Sequence, residues 1–390
     1  MNPQHASPSA RISLVGTGFV SRGLVSLLQQ YPWVQLAHVL TRRNIQDCTE
    51  YPRQDLLTNS LDQLIDNSDL VIECAGDVVH ATAVVDQVIA AGLPVVTMDA
   101  EFHATTGSYF VPRGILSEGE GDQPGSLAAL KEEAEMMGFQ PLVYGNIKWF
   151  LNHNPTPEEM HHWSNKLGIS LTQVTSFTDG TKLQLEQTLV ANGLGADIAV
   201  DGLIGRESAN LEEGAEALGV IASHHGKPIS DYIRAQSAPP GVFIVANHQN
   251  EQAPFLKYYK MGDGPFYTIT RPYHLCHIEL PKTVRRILDG GSPLLNNSAL
   301  PRVSVVGISK RPLMAGYKIK RGIGSFDVRG IAIQIADDPD HVPIGLLSDA
   351  VVKHNLEPGQ RVRFEDVDLP DSTALTAWRT IRENVLQAQE

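Results

Sequence analysis

The sequence predicts an α/β protein built from three parts in series: a doubly wound parallel sheet, an α+β domain and a small β-rich domain. Three observations carry this. Apolar runs alternate with amphipathic segments through the first 146 residues. The alternation breaks at Asn146, where NIKWFLNHNPTPEEMHHW mixes aromatics, prolines and acids without a regular period. A tract rich in glycine and proline at 289–302 then reads as a linker to short strands separated by glycine turns. The expected boundaries are 1–146, 147–300 and 301–370, with a terminal amphipathic helix over 371–390. A chain of 390 residues is long enough for two or three such domains.

The first element is the most informative. Within RISLVGTGFVS, the run Ile12 to Val15 reads as a buried parallel strand and Val20 to Gln30 as an amphipathic helix. Gly16 and Gly18 lie between them. Gly16 permits a tight turn, Gly18 lets a pyrophosphate approach the backbone, and Phe19 and Val20 open the helix whose N-terminal amides face that anion. Ser21 takes the third position of the glycine fingerprint and is small enough for close packing. A purely structural turn is the alternative; the strand before, the helix after and a second strand at Val34–Leu40 favour a dinucleotide.

The second strand ends in Leu40-Thr41-Arg42-Arg43, without the carboxylate that usually holds a ribose 2′-OH. Two guanidinium groups suit a 2′-phosphate, so Arg42 and Arg43 favour NADP over NAD, with a solvated basic turn as the alternative. A short helix follows at Leu61 to Asp66, then a buried strand from Leu70 to Cys74 that ends on Ala75 and Gly76, small enough for a cofactor to lie close. A helix over 79–91 stops at Gly92, and the strand in PVVTMDAE leads to Asp99 and Glu101, expected to border the nicotinamide. RGILSEGEGDQPG carries a strand into a glycine-rich loop, and a helix over 127–137 and a strand over Pro141–Tyr144 close the domain.

In the second part, SLTQV reads as a strand, Asp179-Gly180 as a turn, and Thr181 to about Asn192 as a helix. Strands follow in GVFIVANH and PFYTIT, then a helix from Tyr273 to Leu288. RVSVVGISK and GIAIQIADD are the strands of the third part.

Composition bounds the function. Apolar residues make up 42% and charged residues 19%, a globular balance. A net charge of −13 argues against a nucleic-acid or anionic-membrane surface, though not against a local basic pocket. The three cysteines, Cys48, Cys74 and Cys276, have no paired spacing and suggest a reducing cytoplasm. The segment MNPQHASPSAR lacks the apolar core of a signal peptide and reads as a short disordered lead, and no apolar run reaches membrane-spanning length.

Four residues stand out as carriers of chemistry. Lys182 opens a helix in FTDGTK, where the helix dipole disfavours a cation, with Glu186 one turn on. Proton transfer to a developing alkoxide gives such a lysine a reason; a surface pair with Glu186 is the alternative. Asp179 nearby reads as a helix cap or turn acid. Glu120 and Asp122, in GEGDQPG, suit substrate hydroxyls or a cation, or else form an acidic solvated loop. His274, beside Arg271 and Tyr273, suits an orienting or acid role. His274 and His277 share a helix face if that helix starts at Tyr273, but no third ligand is spaced with them, so no metal is expected.

Taken together, LVGTGFVS, VIECAGD, VVTMDAE, EGDQPG, SFTDGTK with VANGLG, RPYHL and PIGLLSDAVVKHNLEPGQRVRFEDVDL resemble homoserine dehydrogenase-like oxidoreductases with a C-terminal SAF domain, a group that includes the deoxyxylulose-phosphate reductoisomerase-like enzymes. The resemblance spans about residues 11 to 370. It implies an NADP-linked nucleotide domain, a substrate and dimerisation domain, the SAF appendage and a homo-oligomer. It also implies that Glu120, Asp122 and Pro124 border the nicotinamide. The expected activity is hydride transfer between NADP and a carbonyl of a small polar substrate, such as a sugar derivative or sugar phosphate. A reductoisomerase would add a carbon-skeleton rearrangement and a divalent ion held by carboxylates. A non-catalytic NADP-binding sensor or adaptor is the reading from another class.

Overall fold

The computed structural model describes residues 9–388. Its first sheet comprises six parallel strands: β1 (Ala10–Val15), β2 (Val34–Leu40), β3 (Leu57–Thr58), β4 (Leu70–Glu73), β5 (Val95–Thr97) and β6 (Leu116–Glu118), in the order β3-β2-β1-β4-β5-β6. That is the doubly wound order, with the crevice at the β1/β4 switch point. Between them run α1 (Phe19–Leu28), α2 (Leu61–Asp66), α3 (Val78–Ala90) and α4 (Ala100–Thr106). The β2 and α2 spans match the sequence expectation. The disordered lead lies partly outside the described residues, and where it is described it is corrected: Ala10 and Arg11 already pair with β2.

The next elements are α5 (Gln123–Met136), β7 (Gln140–Lys148), α6 (Pro157–Leu167), α7 (Leu171–Thr178), α8 (Thr181–Leu194), β8 (Arg206–Glu207), α9 (Leu211–His225), β9 (Ile229–Arg234), β10 (Val242–Asn247), α10 (Ala253–Tyr258), β11 (Tyr267–Arg271) and α11 (Leu280–Leu288). They build a mixed five-stranded sheet, β11-β10-β7-β9-β8. Strand β10 shows why it is buried on both faces. Val242, Ile244 and Ala246 pack under α5 and α8, while Phe243 and Val245 pack under α9.

Four expectations change here. The strand over Pro141–Tyr144 does not close the first sheet; as part of β7 it is the central strand of the second. SLTQV is not a strand: Ser170 and Gln173 form a capping box that starts α7, and this local bonding outweighs the β preference of Val174 and Thr175. The helix beginning at Tyr273 shrinks to α11, which starts at Leu280 after a short 3-10 turn at Cys276–Ile278. Moreover, α11 covers the first sheet, where Leu280, Val284 and Ile287 join Leu24, Val25 and Leu28 of α1.

The third part contains β12 (Val303–Ser309), β13 (Lys318–Ile319), β14 (Val328–Gln334), β15 (Ala350–Val352), β16 (Val367–Asp368) and α12 (Thr373–Gln387). β12 pairs with β14, and β13-β15-β16 form a second small antiparallel sheet. Helix α12 buries Leu375, Trp378, Ile381 and Val385, one helical stripe, in a core shared with Ala100 and Ala104 of α4 and Leu185 and Leu189 of α8. The 289–302 tract is no loose linker. The Leu295 carbonyl accepts from Glu118 N at 2.8 Å, and buried Asn297 donates to the Ala104 carbonyl at 3.2 Å, which fastens the tract to the first sheet.

Helix α8 is the hub. Every residue from Thr181 to Asn192 is buried. Its Leu183 and Ala191, its Leu185 and Leu189, and its Val190 enter three separate cores. Lys182 therefore sits where all three parts meet.

Candidate active site

The turn after β1 is shaped for close approach. Gly16 has φ +104, and a Cβ there would lie 2.9 Å from Ala75 Cα and from the Cys74 carbonyl oxygen. Gly18 precedes α1 in extended conformation, and no side chain caps that helix or places an acid in its first turn. Its leading amides are thus open to an anion. Ser21 is buried, and its hydroxyl shares a 2.7 Å hydrogen bond with the Tyr51 hydroxyl. Phe19 and Arg43 line a groove of about 280 Å3 running past Gly18, roofed by Gly168–Ser170 and Gln173. Arg42 and Arg43 together line a second groove at the end of β2, with Asn59 and His80. There Arg42 Nη2 donates to Asp77 Oδ2 at 2.9 Å, and Arg43 Nη2 donates to the Asp47 carbonyl at 3.1 Å.

Beyond the switch point lies a cavity of about 360 Å3. Val20 and Gly76 line it on the side of the glycine turn, Asp99, Glu101, Asp122 and Lys182 farther in. Lys182 Nζ donates to Glu101 Oε2 at 2.9 Å and Asp122 Oδ2 at 3.3 Å, and lies 3.9 Å from Glu186 Oε1. Burial alone would lower this ammonium's pKa, but Asp122, Glu101 and Glu186 together raise it well above the usual lysine range. The lysine is charged at neutral pH.

A further layer holds Glu186. Asn146 Nδ2 donates to Glu186 Oε2 at 3.1 Å, and Lys148 Nζ stands 3.9 Å from that oxygen. The Gln123 amide, oriented so that both ends are satisfied, donates to Glu186 at 2.6 and 3.0 Å and turns its oxygen to His274. Burial pushes Glu186 up to about 7, against the pull of Lys148. After β5, burial and then the neighbouring Glu73 and Glu101 raise the Asp99 pKa well above the carboxylate range. Asp99 Oδ1 accepts from Phe102 N and so caps α4, while buried Oδ2 has no partner.

Of the residues named from the sequence, Val20, Gly76, Asp99, Glu101, Asp122 and Lys182 line the cavity, Gly18, Phe19 and Arg43 the first groove, and Arg42 and Arg43 the second, while Gly16 forms the turn after β1. Several readings are corrected. Glu120 faces away from the cavity and is held by Arg271 at 2.6 Å and Lys282 at 2.7 Å, because β11 and α11 bring those cations to it. Asp122 is no loop acid but the N-cap of α5, which begins earlier than expected. Glu101 lines the cavity with Asp99, as expected of neighbouring strand-end acids, and in addition pairs with Lys182. His274 reaches the site only through Gln123, and burial lowers its pKa. His274 and His277 share no helix face, since neither lies in α11. Asp179 accepts from Thr181 N at 2.9 Å, as a turn acid should, and also from Lys310 at 2.6 Å.

Sequence reasoning missed Gln123, Asn146 and Lys148, as well as Thr172, Ser176, Lys320 and Arg321 on the cavity wall, and Glu186, named from the sequence as a surface partner of Lys182, is buried. Asn146, in the middle of a strand, was the readable signal, because an amide inside a buried strand needs a partner. A divalent ion does not suit the carboxylates here. Glu101, Asp122 and Glu186 converge on the Lys182 ammonium, which already answers their charge and would repel a cation.

A doubly wound sheet with an open glycine turn at its switch point, facing a buried lysine, is the architecture of an NAD(P)-dependent oxidoreductase. Two family matches agree with that class. Residues 16–109 match the homoserine dehydrogenase NAD-binding domain, and residues 121–280 match the catalytic domain described as oxidoreductase DRL. No curated protein matches the chain. Among solved structures, the chain is similar to a UDP-N-acetylglucosamine 3-dehydrogenase from Acidithiobacillus ferrooxidans (12% identity, TM-score 0.44, 75% of this chain and 93% of that one). It is also similar to a protein described as a myo-inositol dehydrogenase from Sinorhizobium meliloti (10% identity, TM-score 0.42, 73% and 91%).

Proposed function

We propose that the protein is an NADP-dependent oxidoreductase for a small polyhydroxylated substrate, with Lys182 moving the proton at the reacting oxygen. The observation that carries this reading is the Lys182 ammonium, buried in the cavity beyond the switch point and fixed by Glu101 and Asp122. The cofactor would rest its pyrophosphate on the amides after Gly16 and Gly18, its 2′-phosphate near Arg42 and Arg43, and its nicotinamide beside Gly76 and Asp99. When bound it supplies or accepts the hydride.

The protein's own groups do the rest. In reduction, Lys182 donates a proton to the oxygen of the carbonyl as negative charge develops there. Its raised pKa keeps the ammonium protonated at neutral pH, and the proton passes to the more basic developing alkoxide. Asp122 and Glu101 fix its position and offer acceptor oxygens to substrate hydroxyls. Glu186, close to half-protonated near neutrality, can return a proton toward Lys182, and Gln123 and His274 keep Glu186 in place. His274 is therefore a positioning residue. The partnerless Asp99 Oδ2 is suited to a polar group on the cofactor ring.

The test is Lys182→Met. NADPH should bind with unchanged affinity by fluorescence titration, while turnover on a panel of polyhydroxy carbonyl compounds falls by about 10²–10⁴-fold. Turnover within a few fold of the wild type would remove the lysine from the mechanism.

A further inference from the structure

The third part of the chain contributes its own wall to the cavity, through the loop Lys320-Arg321-Gly322-Ile323-Gly324. The backbone of that loop is pinned. A Cβ on Gly322 would strike the Ile344 carbonyl, and Gly324, at φ +66, lies hard against the Thr172 carbonyl. Lys320 and Arg321 are thus presented from a fixed base. Arg321 Nη1 reaches across to Thr172 Oγ1 on α7 at 3.4 Å.

Their charge is unanswered. Neighbouring Lys318 pairs with Asp349 at 2.7 Å and Arg311 with Asp327 at 2.7 Å. Among the described residues, neither Lys320 nor Arg321 has a carboxylate within ion-pair distance. The cavity is therefore polarised: Asp99, Glu101 and Asp122 gather around Lys182, while Lys320 and Arg321 stand on the wall that the third part supplies, beside the Ser348 and Thr172 hydroxyls and Asp349, whose carboxylate is taken up by Lys318.

We propose that Lys320 and Arg321 receive an anionic group of the substrate, a phosphate monoester or a carboxylate, while its hydroxyl-bearing carbons reach toward Lys182. A forked guanidinium with an ammonium beside it matches the oxygens of either anion. This deepens the oxidoreductase reading above and rests on it for the orientation of the substrate. The third part of the chain then selects substrates instead of merely bracing the fold.

The test uses the full-length protein saturated with NADPH, titrated by calorimetry with inorganic phosphate in one arm and acetate in the other. At least one anion should bind the wild type, and the tighter one identifies the group. Binding should weaken about tenfold or more in K320Q/R321Q and persist in the charge-retaining K320R/R321K. NADPH affinity should be equal in all three. The proposal is overturned if neither anion binds the wild type, if K320Q/R321Q binds them equally well, or if that variant loses NADPH affinity in parallel. The same titrations run without NADPH separate the two ideas: a protein that binds the anion through this pair but never binds NADPH counts against the oxidoreductase reading alone.

Discussion

Lys182 is held between opposed forces, and the same balance recurs at other single residues of the site. Arg42 is shared between Asp77 and solvent, so its guanidinium keeps an edge free for a phosphate. Arg42→Ala should weaken NADPH binding by about tenfold and NADH binding much less, as read by fluorescence titration of both. Equal loss for the two would remove the 2′-phosphate assignment. Deeper in, Lys310 and Asp179 form an enclosed pair at 2.6 Å. Lys310→Met should destabilise the protein by about 3–5 kcal/mol in urea unfolding at pH 7, because Asp179 is left buried without its cation. Burial already raises the Asp179 pKa, so the deficit should shrink as pH falls and Asp179 takes up a proton. Lys182 and Asp122 could be picked out in the sequence because a polar side chain at a helix start or strand end shows in the local pattern. Glu120 misled for the converse reason: Arg271 and Lys282, which neutralise it, arrive from segments far along the chain.

At the level of elements, strands and helices with a clear period were readable, and those decided by a cap or by distant packing were not. Helix α7 turned on a capping box rather than on side-chain periodicity. Ser170→Ala should cost about 1 kcal/mol in thermal or urea unfolding. Because α7 carries Thr172 and Ser176 into the cavity, the same change should raise KM more than it lowers kcat. A KM at the wild-type value would show that α7 holds its place without its cap. Helix α5 had a readable start that went unused: Asp122 as N-cap followed by proline in the first turn. Strand β7 could not be assigned to its sheet from the sequence, since a buried apolar strand carries no mark of its neighbours.

For the whole molecule, buried titratable groups set the pH dependence of stability. Burial pushes His341 down to about 4 and His103 to about 3, so the unfolded chain binds more protons there below pH 6.5 and stability is lost as pH falls. Burial pushes Glu73 and Glu186 up to about 7 from an ordinary 4.5, so the folded chain binds more protons there and stability is lost as pH rises toward 7. Together these place the stability maximum on the acid side of neutrality. Melting temperature should pass through a peak between about pH 5 and 7. His341→Gln should flatten the acid limb and Glu73→Gln the alkaline one. A melting temperature that climbs steadily through pH 8 would contradict the argument. The arrangement of three parts was visible in the sequence, but their interlocking was not: α11 returns to the first sheet, and α12 shares a core with α4 and α8.

The strap from Leu294 to Asn297 follows the outer margin of β6, donating from Leu294 N to Ser117 Oγ at 2.9 Å and accepting from Glu118 N at 2.8 Å. A fragment cut after Glu118 would bare that margin as an unpaired ribbon, ready to stack on another copy. Anyone expressing the nucleotide-binding portion by itself should therefore expect a sticky, aggregating product unless residues 294–297 are supplied in trans.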